Sequence, residues 1–200
     1  MPMRRISVVG TSGSGKSTLG RRLSGILGVP FVELDAVYHQ PGWTPLAARE
    51  FTNRVATAAA DDGWVIDGNY QAVQPLIWAR ADTVIWIDLP KRTVMRQVTW
   101  RTIQRVSFHA ELWNGNREGW RNLFTWDPEE SVISYAWHKY ASYHEHYMAA
   151  LADPANAHIC FVRIVSCRDT RAFLAAAQQC RIQELDSYRP SAGAWGTAGR

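Results

Sequence analysis

Short apolar runs alternate along this chain with longer segments in which apolar residues recur every three or four positions. The first run, residues 4–9, is followed by a glycine-rich turn and then by a helical pattern that reaches residue 27. Gly28 and Pro30 end that helix. Four more strands are predicted at 31–34, 64–66, 83–87 and 158–164. Strands separated by helices predict an α/β fold in which a five-stranded parallel sheet is covered on both faces, a three-layer sandwich.

Capping residues and apolar spacing predict the helices between these strands. Thr44-Pro45 is typical of an N-cap followed by proline at the first helical position, and four-residue apolar spacing continues to Ala59. Asp127-Pro128-Glu129-Glu130 predicts the start of a long helix for similar reasons. Two further helices are predicted at 90–107 and 170–179, with an irregular insertion at 109–126.

A chain of 200 residues is long enough for one domain with its own core. We expect a single domain over residues 1–180, with an acceptor-binding segment near 35–60 and a lid near 106–127. From Ser187 onward the composition turns to serine, glycine, alanine and proline, so residues 181–200 are predicted to be a flexible tail.

Composition and charge narrow the function classes. No stretch approaches the ~18 apolar residues of a membrane span, and no secretory segment precedes the first strand. Three cysteines without metal-binding spacing favour the cytoplasm. The net charge of +4 comes mostly from scattered arginines, because the chain has only three lysines (Lys16, Lys91 and Lys139). Scattered charge argues against nucleic acid as the main partner.

The glycine-rich turn carries the strongest chemical signal. Residues 10–18 read G-T-S-G-S-G-K-S-T, which matches the phosphate-binding loop G-x-x-x-x-G-K-[ST] and lies between a strand and a helix, as that loop requires. Backbone N–H groups of such a loop bind phosphate, the lysine contacts the β- and γ-phosphates, and the serine hydroxyl ligates Mg²⁺. The motif predicts binding of Mg·ATP through Gly10, Ser12, Gly13, Ser14, Gly15, Lys16, Ser17 and Thr18.

Two other signals are weaker. No N-K-x-D string is present, which argues against a Ras-like GTPase. His144 and His146 are two positions apart on a predicted helix and so point in different directions, which argues against a metal site.

Several strings in order resemble the adenylate-kinase-related proteins labelled topology modulation or FlaR-like, in the group of nucleoside monophosphate kinases and shikimate kinases. Over about residues 4–175 these strings are the phosphate loop, Leu34-Asp35, Pro41-Gly42-Trp43, Trp64 to Tyr70, Arg80-Ala81-Asp82 and Ile87 to Pro90. The resemblance implies a P-loop kinase fold with strand order 2-3-1-4-5 and the use of ATP. It says less about the identity of the substrate than about the fold and the use of ATP.

The resemblance also implies roles for two aspartates. Asp67 lies where the monophosphate kinases hold a metal-bound water, although an Asp-Gly turn at a strand end is the alternative. Asp35 is expected at the end of the second strand, where shikimate-kinase-like enzymes hold a substrate hydroxyl, although it could simply cap the next turn.

The arginines are the third implied feature. Arg101 and Arg105 match the spacing and place of an R-x-x-x-R pair that contacts the nucleotide in adenylate kinases, and residues four apart share a helical face. Arg117 and Arg121 could act as clamps from the insertion. Surface salt bridges are the alternative for each of them.

The chain departs from the monophosphate kinases at two positions. Gln71 and Tyr38 stand where arginines normally bind the phosphate of the nucleoside monophosphate. Losing two bidentate cation contacts, each worth about 1.5–3 kcal/mol, argues against AMP as the acceptor.

These observations favour a kinase that transfers the γ-phosphate of Mg·ATP to a small acceptor other than AMP. The expected partners are ATP and that acceptor. An ATP-dependent regulatory or nucleic-acid-associated protein is the alternative, and the sequence leaves the acceptor and the oligomeric state open.

Overall fold

The computed structural model describes residues 3–108, 111–117 and 131–187, with side chains described through residue 180. Five strands form one sheet: β1 (Arg5–Gly10), β2 (Phe31–Glu33), β3 (Trp64–Asp67), β4 (Thr83–Ile87) and β5 (Cys160–Ile164). The α-helices of these ranges are α1 (Lys16–Leu27), α2 (Leu34–Tyr38), α3 (Ala48–Ala59), α4 (Gln74–Trp78), α5 (Lys91–Ser107), α6 (Val132–Ala152) and α7 (Cys167–Ser187). Short 3₁₀ turns lie at Pro41–Trp43, Trp113–Gly115 and Pro154–Asn156.

The strand order is β2-β3-β1-β4-β5, and every pairing is parallel. The predicted fold class and strand order are therefore confirmed. β1 lies at the centre, and the chain passes from it to β2 on one side but reaches β4 on the other. Ligands bind outside the carboxyl ends of strands at such a point of reversal.

Alternating side chains of the central strands build a core on each face of the sheet. Ile6 and Val8 of β1 pack into one core beneath α1 and α7, whereas Val9 packs into the other. In β3, Trp64 and Ile66 join the second core, which α3, α4 and α6 complete. Both faces are buried, which explains why the strands are nearly continuous apolar runs rather than alternating ones.

Two helix starts differ from the prediction. The backbone of Tyr38 to Leu46 forms a narrow loop in which the N–H of Gln40 donates to the carbonyl of Thr44, 2.8 Å away, and Leu46 donates to Tyr38. Because Thr44 and Pro45 belong to this loop, α3 begins only at Ala48. The predicted start at Asp127 lies outside the described residues, within which the long helix begins at Val132.

The last helix also extends further than its pattern indicated. The predicted helix ended at residue 179, whereas α7 continues to Ser187. Residues 188–200, the rest of the predicted tail, lie outside the described residues.

Candidate active site

The phosphate-binding loop connects β1 with α1 at the carboxyl end of the sheet, as predicted. Gly13 has φ of +84° there, and a Cβ at that position would lie 2.6 Å from the Cβ of Val98, so only glycine fits. Gly15 is the N-cap of α1 and leaves the first turn without a side-chain cap. Ser14 is buried, and its Oγ has no hydrogen-bond partner within the described part of the chain. Uncapped N–H groups and an unpaired hydroxyl leave donors available for an anion.

Lys16 begins α1, and its side chain turns back over the loop. Its Nζ donates to the carbonyl of Thr11 at 3.2 Å. Burial lowers the pKa of Lys16, while the carboxylates of Asp67, Asp35 and Glu33 act in the opposite direction. A polyphosphate in the loop would stabilise the charged lysine, because an opposite charge nearby favours the ionised form.

Ser17 lies between two carboxylates. Its Oγ is 2.5 Å from Oδ2 of Asp67 and 2.8 Å from Oε1 of Glu33. The Ser17 hydroxyl has one proton and can donate it to only one of these two carboxylates. A second proton or a cation is therefore needed between the Ser17 oxygen and the other carboxylate. Arg21 donates to the other oxygen of Glu33 at 2.6 Å, and that oxygen is therefore already bound.

Asp67 is the more deeply placed carboxylate. It is 3% exposed, and its Oδ1 is buried without a hydrogen-bond partner among the described residues. Burial raises the pKa of Asp67 to about 6, although Lys16 and the Ser17 hydroxyl act to lower it. The folded protein thus binds this proton more tightly than the unfolded chain does, so without metal this group makes folding less favourable as pH rises from 3.8 to about 6.

This oxygen cluster fits a magnesium ion. Ser17, Asp67 and Glu33 supply the hard oxygen ligands that Mg²⁺ prefers, and the unpaired Oδ1 of Asp67 can hold a metal-bound water. The described residues contain no group of three or more histidine, cysteine, aspartate or glutamate side chains that could hold a metal. An ion here would therefore complete its shell with water and phosphate oxygens, which is usual for Mg²⁺ bound with a nucleotide.

Glu33 was not predicted as a site residue. Strand two was expected to run through residue 34 with Asp35 as its terminal carboxylate, whereas β2 ends at Glu33 and Leu34 begins α2. Glu33 and Asp67 are register partners at the ends of adjacent strands. Glu33 could have been identified from the strand order that the resemblance implies. That order places strand two beside strand three, so the carboxylate at the end of strand two lies next to Asp67.

Asp35 therefore lies in the first turn of α2 rather than at a strand end, which corrects that expectation. Its Oδ1 accepts a hydrogen bond of 2.8 Å from the hydroxyl of Tyr70. Burial and the Asp35 carboxylate raise the pKa of Tyr70, so this phenol stays protonated and keeps donating. Among the described residues, the Asp35 carboxylate therefore accepts a hydrogen bond from a side chain that follows β3, and it does not cap the next turn.

The two positions that lack arginine have different surroundings. The Tyr38 ring packs 5.2 Å from Phe51 and 4.9 Å from Tyr70, measured between ring centroids. Gln71 is exposed. Tyr38 thus supports the wall behind Asp35, while Gln71 faces solvent.

The predicted arginines separate into three groups. Arg101 Nη2 lies 3.4 Å from Ser12 Oγ at the phosphate loop, and Arg105 lies over the Trp113 ring at 6.0 Å. Arg117 is exposed and forms an ion pair of 3.7 Å with Glu111. Arg121 lies outside the described residues. The structure brings Arg101 and Arg105 to the site, whereas Arg117 forms the surface pair that the sequence left as the alternative.

One cavity of about 1120 Å³ joins these features. It runs from the phosphate loop past Asp67 to Asp35, and along α7 in the other direction. The lining side chains that were not predicted as site residues include Glu33, His39, Gln97, Glu111, Cys167 and Arg171. This volume is slightly above the range of about 300–1,000 Å³ that is usual for small-molecule sites, and the cavity extends beyond the loop that would bind a triphosphate.

Two asparagines join residues 111–117 to residues 39–43. Asn116 is buried, and it accepts from the N–H of Trp43 at 2.9 Å and donates to the carbonyl of Gln40 at 2.9 Å. Asn114 donates to the carbonyl of His39. Trp43 has φ of +60°, an uncommon conformation for a bulky residue, which these bonds hold in place. The predicted acceptor and lid segments therefore meet at the mouth of the cavity.

The two histidines of α6 point to different parts of the structure. His144 Nδ1 lies 3.1 Å from Asp88, and His146 Nε2 lies 3.0 Å from Gln74, so the two rings have different neighbours.

No protein-family model matches this chain, and no curated protein matches it. Among solved structures, the chain is similar to a shikimate kinase from Bacteroides thetaiotaomicron, with 16% identity and a TM-score of 0.52 over 93% of this chain and 99% of that one. A gluconokinase from Sinorhizobium meliloti 1021 gives 15% identity and a TM-score of 0.49 over 92% and 95% of the two chains. A shikimate kinase from Acinetobacter baumannii in complex with shikimate gives 16% and 0.46 over 94% and 96%.

The first likeness, together with the strand order, shows the fold of P-loop kinases. At such low identity a likeness concerns the fold alone, so the topology-modulation or FlaR-like label remains a prediction. Within the described residues, no helix is both long and apolar enough to cross a membrane.

Proposed function

We propose that this protein is an ATP-dependent phosphotransferase that phosphorylates a small acceptor other than AMP. The observation that carries the proposal is the position of the Ser17 hydroxyl between Asp67 and Glu33, in the cavity that also reaches Asp35. A triphosphate in the loop and an acceptor at Asp35 would then lie in the same cavity, which is the arrangement that phosphoryl transfer needs.

The donor half of the site would hold the triphosphate. Lys16 would contact the β- and γ-phosphates, and the loop N–H groups and the Ser14 hydroxyl would donate to phosphate oxygens. Ser17, Asp67 and Glu33 would hold Mg²⁺, which when bound neutralises charge on the phosphates. Arg101, which lies beside Ser12, would stabilise charge on the transferred group.

The acceptor half would orient a hydroxyl group. Asp35 lines the cavity and can accept a hydrogen bond, or a proton, from that hydroxyl. Tyr70 donates to one oxygen of Asp35 and leaves the carboxylate further acceptor positions. Trp43 and Trp113 would exclude water from this end.

ADP release in a panel of small hydroxyl-bearing metabolites and nucleosides tests the proposal. We expect ADP formation that depends on one class of acceptor and yields the phosphorylated product. ATP hydrolysis that no acceptor stimulates would contradict the proposal and favour the regulatory alternative.

AMP is expected to be a poor acceptor in the same assay. Tyr38 is committed to packing and Gln71 carries no charge, so neither replaces the arginines that bind a monophosphate. Steady-state ADP formation with AMP measures this. Efficiency within the range of about 10⁴–10⁸ M⁻¹s⁻¹ that good enzymes reach would contradict our interpretation of these two positions.

The segment 106–127 is expected to act as a lid that becomes more protected when nucleotide binds. Arg101 and Arg105 would favour closure only when phosphate is present, and the glycine of Asn114-Gly115 lowers the cost of a backbone rearrangement. Hydrogen exchange with and without a non-hydrolysable ATP analogue measures this, with helix α3 as the internal reference. Equal protection of 106–127 in both states would mean that it is a fixed element.

A further inference from the structure

β3 leaves the sheet before β1 ends, which exposes one side of the β1 terminus. Pairing of β1 with β3 stops at Val8 and Asp67, whereas pairing with β4 continues to Gly10 and Ile87. The N–H of Gly68 still reaches the carbonyl of Val8 at 3.3 Å. Backbone groups two residues apart face the same neighbour, so those of Gly10 point to the side that β3 has left.

The carboxamide of Asn69 takes the place of the missing strand. The N–H of Gly10 donates to Oδ1 of Asn69 at 3.1 Å, and Nδ2 of Asn69 donates to the carbonyl of Gly10 at 2.6 Å. One side chain thereby satisfies both backbone groups of Gly10, the first residue of the phosphate loop.

Helix α6 holds this amide in its orientation. The hydroxyl of Tyr147 donates to Oδ1 of Asn69 at 3.0 Å, and Tyr147 is 1% exposed. The oxygen accepts two hydrogen bonds while the nitrogen donates one, so rotation of the amide by half a turn would lose all three.

Gly10 itself cannot provide this restraint. Its φ is +142°, and a Cβ there would lie 2.5 Å from the carbonyl oxygen of Ile87, so the position needs glycine. Glycine populates more backbone conformations than any other residue. The backbone at Gly10, where the loop begins, is therefore held in place by residues around it such as Asn69.

We propose that Asn69 is a positioning residue for the phosphate-binding loop, holding Gly10 through a side-chain substitute for strand pairing that Tyr147 orients. The loop N–H groups are then preorganised, and nucleotide binding does not have to order them. This inference presupposes only that the loop binds phosphate. It concerns residues that the proposed transfer reaction does not use directly.

Replacing Asn69 by alanine is expected to weaken Mg·ATP binding about tenfold, since it removes two hydrogen bonds that order the loop. Calorimetry measures the affinity, and the ³¹P resonance of the bound β-phosphate is expected to shift because the donors around it move. Tyr147→Phe removes only the orienting hydroxyl, so a smaller loss of affinity in the same direction is expected.

Asn156→Ala is the matched control. Asn156 also donates to a backbone carbonyl, that of Ala150 at 2.9 Å, but it precedes β5 at the opposite end of the sheet. We expect Asn156→Ala to lower Tm without changing ATP affinity or the ³¹P spectrum. If Asn69 had a purely structural role, Asn69→Ala would also lower Tm without changing ATP affinity or the ³¹P spectrum. That result would overturn the proposal.

Two further measurements keep the test decisive. If Asn69→Ala does not fold, Asn69→Asp keeps the size of the side chain and loses the donor to Gly10, and wild-type affinity in that variant would overturn the proposal. If the wild type binds no ATP, the proposed function fails, and hydrogen exchange of residues 10–17 then tests the inference without a ligand. Faster exchange of that segment in Asn69→Asp supports it, and unchanged exchange overturns it.

Discussion

Replacing Lys16 by alanine is expected to weaken Mg·ATP binding by at least about 100-fold, or ~3 kcal/mol, because the variant loses a charged hydrogen-bond donor to the phosphates. The fold is expected to remain intact. Burial lowers the pKa of Lys16, which means that its charge is poorly solvated in the ligand-free protein. Calorimetry of the folded variant measures the effect.

Lys139→Ala is the control for this substitution, since Lys139 is an exposed residue of α6. We expect wild-type ATP affinity in the control. Unchanged affinity in folded Lys16→Ala would mean that the loop does not bind a triphosphate in the expected way, and the proposed function would lose its basis.

Asp67→Asn is expected to abolish the strengthening of ATP binding by Mg²⁺ and to lower phosphoryl transfer by at least about 100-fold. The amide has the shape of the carboxylate but cannot offset the charge of the metal. Titration of ATP with Mg²⁺ and with EDTA measures the difference. Asp82→Asn is the control, because Asp82 binds the N–H groups of Arg4 and Arg5 at the other end of the sheet.

The wild-type protein is expected to lose Mg²⁺ affinity as pH falls below about 6. Metal binding requires the ionised carboxylate of Asp67, whose pKa is raised to about 6, so below that value the ion must displace a proton. Above pH 7 the affinity is expected to level off. A flat profile between pH 5 and 8, or a profile that Asp67→Asn leaves unchanged, would contradict the assignment of Asp67 as a metal-binding group.

Residues that act within a short stretch of chain could be predicted from the sequence. The phosphate-binding loop is one contiguous string between a strand and a helix, and its glycines, Lys16 and Ser17 lie where that string indicated. The strands could be located because each contains a short apolar run, and those of β1, β3 and β4 are buried on both faces. Their order came from a resemblance and not from the spacing itself.

Boundaries near the site were predicted less well. Thr44-Pro45 has the composition of a helix start, yet its backbone pairs within the loop of Tyr38 to Leu46. Asp35 was expected at a strand end because no local signal shows that β2 stops at Glu33. At Thr44 the backbone pairing of that loop overrode a capping preference worth about 1 kcal/mol.

The sequence by itself determined the α/β fold class and the position of the glycine-rich loop between β1 and α1, because both follow from local periodicity and one contiguous motif. Only the tertiary structure decided which distant side chains complete the site: Glu33 beside Ser17, Tyr70 on Asp35, and Asn69 on Gly10. These pairs are 16, 35 and 59 residues apart in the chain. They meet because the parallel order β2-β3-β1 brings the carboxyl ends of three strands to one edge, a consequence of packing that no single segment encodes.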